Sequence, residues 1–473
     1  MIMKRIYLAL IVLVGISVSC TKNFEDWQKD EKHPVEVPGE MLFTNAQKAL
    51  ADQTASTNVN VNNWRLFSQY WTEVTYTNEA NYDIVNRSVP GSVYRIFYRD
   101  ILNDLKASRK ALTATDVTAN PEAKLDIIAM LEVYSYSRLV DIFGLVPFSE
   151  ALDVENNIYP AYDGGMEIYT ELFSKLGTAI SDLEGREASF VNGEDLFYNG
   201  NVAEWVKFGY TLQARMAITL ADVYSDAPAK FNAAAEKAFS SNADDANLVY
   251  LGSPLDNTNP LYQSLVASGR DDFVGANTII DMMNDLADPR IAAYFQPIED
   301  GSYLGGDYGY PSSFGNYSHV AVALHNPSYP ATLLSFVELE FYKAEAAARG
   351  WGGDAATHYA NAITASFELW GVDGAADYIT AVPYDAANWE KSIGEQAWLG
   401  NYPRGFEAWT TYRRLDYPAM NVAEAPETVD GVVPTRFTFP GSEQTLNQDA
   451  YYAAAAAIVG GDKLESKVFW DIK

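Results

Sequence analysis

Hydrophobic residues recur on nearly every face of the stretch between Glu194 and Asp226, which predicts a buried central helix. The Asn-Gly-Asn turn at 199–201 supplies its N-cap, because an Asn side chain accepts hydrogen bonds from the free N–H groups of a first helical turn. Arg215 lies among the apolar residues, so we expect it to have an acidic or carbonyl partner inside the protein. One stripe of this helix holds Val202, Trp205, Val206, Gly209, Leu212, Met216 and Leu220.

Helical periodicity continues over most of the chain after residue 40. A short amphipathic segment is predicted over Met41–Thr54, and a second, over Val61–Thr75, would place Trp64, Phe67 and Trp71 on one face. Pairs of short helices separated by Pro or Gly are typical of tetratricopeptide-like architectures. Such pairs are predicted at Ser92–Leu112 with Glu122–Ile142, at Gly165–Leu183 with Val202–Val223, and at Leu333–Arg349 with Asp354–Trp370.

Long irregular stretches separate these pairs. Phe143–Ala161 is one, and Asp300–Pro330 is the most prominent, because its Gly, Pro, Ser and Tyr residues disfavour a helix. Thr435–Pro440 alternates like a short strand. The sequence therefore predicts a mainly α fold, with tetratricopeptide-like helix pairs, long loop insertions and a few short β-strands. No linker composition divides residues 41–473, so we predict a single domain there.

The first forty residues have the features of an export and anchoring segment. Lys4 and Arg5 precede an apolar run of signal-peptide length, too short to span a bilayer, which ends at small residues before Cys20. This resembles a relaxed bacterial lipobox, so we predict that residues 1–19 are a lipoprotein signal peptide and that the Cys20 thiol is lipidated. Residues 20–40, polar and with two prolines, are predicted to be a flexible tether. The alternative is an ordinary secretory signal with a chance cysteine.

Composition excludes several classes of function. The net charge of −30, from 33 basic and 63 acidic residues, repels nucleic acid and disfavours broad contact with an anionic membrane. A single cysteine rules out an internal disulfide and a cysteine-rich metal site. Asp271, Asp272 and Asp288 are candidate oxygen ligands for calcium, although no EF-hand spacing is present. We expect no other cofactor.

Aromatic residues make up 13% of the chain, more than a core needs. Sugar binding requires flat aromatic faces together with amides and carboxylates, and residues 71–82 and 303–317 supply both. We expect these stretches to be the rims of one binding face. Its candidate residues are Trp71, Tyr76, Asn78, Glu79, Tyr82, Tyr303, Asp307, Tyr308, Tyr310, Phe314 and Asn316. The alternative for Trp71 is the core, since it shares a predicted helical face with Trp64, and for Tyr308 and Tyr310 it is packing within the loop.

Motifs for catalysis are weak. No nucleophile elbow, P-loop or dinucleotide fingerprint occurs where its strand-and-helix context would support it. Because the chain has 63 acidic residues, the sequence does not exclude a pair of catalytic carboxylates like that of a glycosidase. Trp409 and Arg413 are four residues apart on a predicted helix and can stack, which serves either anion capture or, the preferred interpretation, packing.

Six segments together resemble the SusD/RagB family, the surface lipoproteins that serve outer-membrane nutrient importers. They occur in the family's order, behind the lipobox and over nearly the whole chain, and two of them indicate the SusD-like subgroup. The segments are Ser137–Pro147, Asp195–Ala217, Glu338–Trp351, Gly405–Pro418, Thr435–Pro440 with Glu443 and Asn447, and Lys467–Asp471.

The resemblance implies a helical fold with tetratricopeptide-like pairs on one side and a loop-rich ligand side. It implies no catalysis but a surface-exposed glycan-binding lipoprotein, anchored to the outer membrane by lipid alone, that captures oligosaccharides and delivers them to a SusC-like TonB-dependent transporter. The alternatives are a peptide-binding member of the family and an extracellular glycoside hydrolase. Family glycan sites are built from aromatics in variable loops, so the resemblance assigns neither site residues nor cargo.

Overall fold

The structure is a computed structural model that describes residues 37–114 and 121–473. Most of the described residues outside loops are helical. Two π-helical segments, Ile96–Leu102 and Gln263–Ala267, continue the α-helices that precede them. The α-helices are Gly39–Ala55, Trp64–Phe67, Val89–Arg95, Asn103–Ala114, Pro121–Phe143, Gly165–Leu183, Val202–Thr219, Ala227–Ala235, Pro260–Tyr262, Asn277–Asp285, Ile291–Tyr294, Phe336–Ala348, Ala355–Trp370, Ala375–Ala381, Trp389–Gly400, Gly405–Leu415, Glu443–Leu446 and Gln448–Ala457.

The helix Val202–Thr219 lies at the centre of these helices, as predicted. It packs against four others, and the side chains of Trp205, Phe208 and Leu212 are fully buried. The Asn201 side chain caps it by accepting a hydrogen bond from the Ala203 N–H at 3.1 Å. The packing partners are Pro121–Phe143, Gly165–Leu183, Ala227–Ala235 and Phe336–Ala348. All three predicted helix pairs form and pack, which confirms the mainly α, tetratricopeptide-like fold.

Buried ion pairs join these helices. Arg215 lies 3.5 Å from the Asp141 carboxylate, which confirms the expected acidic partner. Glu407 pairs with Arg138 at 2.5 Å and with Arg404 at 3.4 Å, so it connects two distant parts of the chain. A charge removed from water in this way needs its partner, because an isolated buried charge is costly.

The stacking predicted for Trp409 and Arg413 also forms. The Arg413 guanidinium carbon lies 3.4 Å from the centre of the Trp409 ring. The same guanidinium donates hydrogen bonds to the carbonyls of Asp141 at 2.7 Å and Thr435 at 2.9 Å. Both residues are buried, so the preferred interpretation, packing, is confirmed.

Two expectations about local structure were wrong. The segment Val61–Thr75 is not one helix: it is helical over Trp64–Phe67, Gln69 then adopts a left-handed conformation with φ of 52°, and Trp71–Glu73 is a strand. Aromatic and β-branched residues there favour a strand once a partner strand is available. The segment Thr435–Pro440 forms no strand, because its N–H groups donate to the Leu464 carbonyl in a loop and to the Ile142 carbonyl at the end of the helix Pro121–Phe143, not to a partner strand.

The strands of the described residues form two short antiparallel pairs, in addition to three isolated bridges. Trp71–Glu73 pairs with Phe273–Gly275, and Asn247–Leu248 pairs with Ala331–Thr332. The long segment 300–330 is irregular, as predicted, with only two 3₁₀ turns, Phe314–Asn316 and Val322–His325. Its position beside the first strand pair forms the surface described below.

The predicted signal peptide and lipidated Cys20 lie outside the described residues, as does the tether up to residue 36. The first helix begins at Gly39, two residues before the predicted boundary between tether and domain. Within residues 37–114 and 121–473, no helix combines the length and apolar character needed to cross a bilayer.

Candidate binding site

A cleft of about 330 Å³ opens beside the strand pair Trp71–Glu73 and Phe273–Gly275. The pairing sets Glu73 opposite Phe273, and a further hydrogen bond from the Val74 N–H to the Asp272 carbonyl extends it by one residue. Three segments distant in sequence therefore meet at one place. The lining residues are Thr57, Asn58, Val59, Asn60, Glu73, Thr75, Tyr76, Glu79, Arg87, Ser264, Ser268, Arg270, Asp272 and Phe273. We call this space the Tyr76 cleft.

Tyr76 gives the cleft an exposed aromatic ring. Its side chain is 69% exposed, whereas Phe273 in the same wall is buried. Asn58 and Asn60 supply amides, and Ser264 and Ser268 supply hydroxyls. An accessible aromatic face beside several uncharged hydrogen-bonding groups matches the chemistry of a pyranose ring, which has an apolar face and a rim of hydroxyls.

Two carboxyl groups lie within hydrogen-bonding reach of each other in the cleft wall, those of Glu73 and Glu79. Glu73 also accepts a hydrogen bond from the Ala80 N–H at 2.9 Å, and Glu79 pairs with the Arg87 Nε at 2.7 Å. Burial, and then the nearby negative charge of Glu79, raises the pKa of Glu73 to about 9. The pair therefore holds a proton at neutral pH and offers a donor as well as acceptors.

The calcium candidates take other partners in this structure. Asp272 pairs with Arg270 at 2.8 Å, and Asp288 pairs with Arg290 at 2.6 Å in the core. Asp271 is exposed beside the cleft. Across the described part of the chain, no three His, Cys, Asp or Glu side chains come together as a metal site. Asp272 and Asp288 thus balance arginine charges.

The structure brings the two predicted stretches together. The Ser312 N–H donates to the Val74 carbonyl at 2.9 Å, and the Gly309 N–H donates to the Thr72 hydroxyl at 3.1 Å. The Asn81 amide then donates to the Gly309 carbonyl at 2.8 Å. The loop therefore forms a surface against the stretch 71–82, although its side chains do not line the Tyr76 cleft.

Three predicted site residues are core residues instead. Trp71 donates a hydrogen bond through its indole N–H to the Tyr402 hydroxyl at 3.1 Å, and Tyr308 donates to the Leu66 carbonyl at 2.8 Å. Tyr82 packs against Phe67 and is also fully buried. Their rings are covered on both faces by neighbouring residues, so we correct their role from ligand contact to support of the surface.

The remaining candidates lie at or near the surface. Tyr310 is 45% exposed, and Asn78, Asp307 and Asn316 are exposed too. Phe314 is partly covered because its ring stacks on His319 with centroids 3.7 Å apart, and Tyr303 is half-buried. Glu79 is buried but lines the cleft. Of the predicted residues, Tyr76 and Glu79 line the cleft, and the exposed loop residues form the adjoining surface.

Several cleft residues were missed from the sequence. Glu73 was missed because its segment was assigned to a helix. The segment from Thr57 to Asn60 and the residues Ser264, Ser268 and Arg270 carry no motif of their own. They come together only through the pairing of two strands 200 residues apart, which no local pattern indicates.

Comparison with known proteins identifies the family. Residues 31–440 match the model of the SusD-like proteins, described as "Starch-binding associating with outer membrane". The chain belongs to this SusD-like family. The resemblance noted from the six sequence segments is therefore confirmed. No match was found among curated protein sequences.

Solved structures of SusD-like proteins share the whole fold. A SusD homologue from Bacteroides uniformis is 27% identical, with a TM-score of 0.78 over 91% of this chain and 99% of that one. A chitin-binding protein is 24% identical, with a TM-score of 0.80 over 92% and 100%. A chitin-binding SusD homologue from Flavobacterium johnsoniae is also 24% identical, with a TM-score of 0.77 over 91% and 97%.

Proposed function

We propose that this SusD-like protein is a glycan-binding lipoprotein of the outer-membrane surface that captures oligosaccharides without transforming them. Membership of a family described as starch-binding and the likeness to two chitin-binding structures support a carbohydrate ligand. The observation that carries the proposal is the Tyr76 cleft, where an exposed ring adjoins amides, hydroxyls and a buried carboxyl pair. These groups match both the apolar face and the hydroxyls of a sugar.

Anchoring and delivery complete the proposal. Lipidation of Cys20 would hold the protein at the outer membrane, and the polar residues 21–36 would separate the helical domain from the lipid. The bound glycan would then pass to a SusC-like TonB-dependent transporter. The support for this partner is the resemblance of the chain to proteins that serve such importers.

The geometry of Glu73 and Glu79 argues against this pair as the catalytic carboxyl groups of a glycosidase. Glycosidases separate their two catalytic carboxyl groups by about 5–5.5 Å in retaining enzymes and by about 6.5–9.5 Å in inverting ones. Glu73 and Glu79 are close enough to share a hydrogen bond. Such a pair leaves no room for the scissile bond between its members.

Calorimetric titration of the purified protein against a panel tests the proposal. The panel contains starch, chitin and other neutral oligosaccharides together with mixed peptides, and the recovered ligand is analysed for new reducing ends. We expect saturable binding of an oligosaccharide with its length unchanged. Binding of peptides alone would support the peptide-binding alternative, and release of shorter products would support the hydrolase.

A further inference from the structure

A second open compartment adjoins the Tyr76 cleft. This compartment, which we call the helix groove, has a volume of about 640 Å³ and runs along the first helix, Gly39–Ala55. Asn58, Ser264 and Ser268 line both the cleft and the groove. Because the two spaces have three wall residues in common, they adjoin at these residues, which is where a ligand in the cleft would continue toward the groove.

The first helix gives the groove its length and its polar floor. Asn45, Lys48 and Asp52 line the groove at spacings of three and four residues on one face of the helix, and Ser56 continues the row just after the last helical residue, Ala55. At a rise of about 1.5 Å per residue, this row is roughly 17 Å long. That length exceeds one sugar ring and suits an extended chain.

Two buried polar atoms near the junction of cleft and groove have no partner in the protein. Gln53 lines the groove and is 5% exposed; its amide N–H donates to the Val61 carbonyl at 2.7 Å, while its Oε1 has no hydrogen bond. Thr57 lines the cleft, is 6% exposed, and its hydroxyl is also without a partner. Buried polar groups normally have hydrogen-bond partners, so a water molecule or a ligand hydroxyl or amide that reached these two atoms would complete their hydrogen bonding.

The charges along both compartments select against anions. Among the described residues that line them, each basic side chain is already paired with a carboxylate: Lys48 with Asp52 at 2.6 Å, Arg87 with Glu79 at 2.7 Å, and Arg270 with Asp272 at 2.8 Å. Asp100 in the groove is likewise paired, with Arg99 at 2.5 Å, and Asp256 adds negative charge there. A negatively charged uronate or sulfate group would be repelled by these carboxylates, and the described residues of the lining offer no unpaired basic side chain to bind that group.

We propose that the Tyr76 cleft and the helix groove form one continuous site for an extended, uncharged glycan chain of several sugar units. This inference rests on the proposed function, since it specifies the class of glycan that the protein captures. The sugar at Tyr76 is held by its apolar face, and the following units lie along the first helix and bind through hydroxyls or N-acetyl groups.

Calorimetry of the full chain with a series of ligands of increasing length tests this inference. The probes are malto- and chito-oligosaccharides from disaccharide to hexasaccharide, and oligogalacturonates of the same lengths. In at least one neutral series we expect the affinity to rise by about tenfold or more between the shortest and longest member. The charged series should bind at least about tenfold more weakly than that neutral series at equal length.

The variant A49W fills the helix groove, and A376W places the same side chain on an exposed helix outside it as the control. We expect A49W to bind the disaccharide like the wild type, which also shows that it is folded. Its affinity should no longer increase with the length of the oligosaccharide.

If short oligosaccharides bind and longer ones bind no more tightly, or if A49W keeps the full increase in affinity with length, the extended site is wrong while the proposed function stands. Tighter binding of the oligogalacturonates would overturn the charge selection. If neither these series nor any other neutral oligosaccharide of the panel binds at all, both the proposed function and this inference fail.

Discussion

Tyr76 and Trp71 are five residues apart, yet their rings have opposite roles. The Tyr76 ring is exposed in the cleft, whereas Trp71 is buried and hydrogen-bonded to Tyr402. Covering an exposed aromatic face with a ligand stabilises the complex, whereas a buried aromatic ring already stabilises the folded protein. The substitution W71A therefore tests the contribution of Trp71 to stability, and the substitution Y76A tests the contribution of Tyr76 to ligand binding.

The variant Y76A should bind the cognate oligosaccharide more weakly by about 1–3 kcal/mol, or roughly 5- to 150-fold in affinity, because the ring face for the sugar is lost. Its thermal stability should stay near that of the wild type. Calorimetric titration measures the affinity. The matched control is Y159A, since Tyr159 is 65% exposed and lies outside the cleft lining. Equal affinities for Y76A and the wild type would remove Tyr76 from the site.

Glu73 makes the stability of the protein depend on pH. Its pKa is about 9 in the folded protein, through burial and then Glu79, against an ordinary value of 4.5. Between these values the folded state keeps a proton that the unfolded chain has released. The contribution of Glu73 to the free energy of unfolding is therefore fully present below about pH 4.5 and is lost as the pH rises toward about 9.

The variant E73Q has the shape of the protonated acid and does not titrate. We expect it to gain stability relative to the wild type between about pH 5 and pH 8, as measured by urea denaturation at each pH. The control E171Q replaces a glutamate on the exposed face of Gly165–Leu183. A difference between E73Q and the wild type that stays constant over this range would contradict the shared proton.

At the scale of elements, glycines allow two close approaches between backbones. A Cβ atom at Gly405 would lie 2.5 Å from the Arg65 nitrogen and the Trp64 carbonyl carbon, and one at Gly305 would lie 2.4 Å from the Asn277 Cα. Backbone atoms cannot rotate away as a side chain can. The helix Gly405–Leu415 can therefore meet the helix Trp64–Phe67 only through a residue without a side chain.

The variant G405A should lower the free energy of unfolding by about 1–3 kcal/mol, because the added methyl group forces the two helices apart. Thermal and urea denaturation measure the loss. G441A is the control, since a Cβ at Gly441 meets no atom within 4 Å. If G405A is as stable as G441A, the contact between these helices is looser than described.

Helices whose apolar residues recur with the helical period along their whole length could be predicted from the sequence. The helix over Gly165–Leu183 was predicted with its observed ends, and the central helix from its apolar faces and Asn cap. The strand Trp71–Glu73 was not, because its partner lies 200 residues away and its aromatic spacing also fits a helix. The cleft opens beside that strand pair, so Tyr76 could be predicted as a candidate but its neighbours in the cleft wall could not.

At the scale of the whole molecule, buried charges connect helices that are far apart in sequence. Glu407 is paired with Arg138 and Arg404, and Arg404 also pairs with Glu338 at 3.1 Å. These residues belong to three separate helical regions. Their pairing requires all three regions to be folded together, so the scaffold behind the cleft should unfold as one unit.

The variant E407A leaves two arginines buried without this carboxylate, so it should lower the free energy of unfolding by about 3–5 kcal/mol. Urea denaturation followed by both tryptophan fluorescence and circular dichroism measures the change and shows whether the transitions coincide. The control E465A removes a partly exposed glutamate near the C-terminus. A loss no larger than that of E465A would show that the buried pairs are dispensable.

Under the proposed function, a carbohydrate binds in the Tyr76 cleft and is left intact. The decisive experiment is a crystal structure of the protein with the neutral oligosaccharide that binds most tightly in the titrations. We predict an unbroken sugar chain with one ring against the face of Tyr76 and further units along the first helix. A sugar bound at another surface with the cleft empty, or a chain cleaved beside Glu73 and Glu79, would contradict the account.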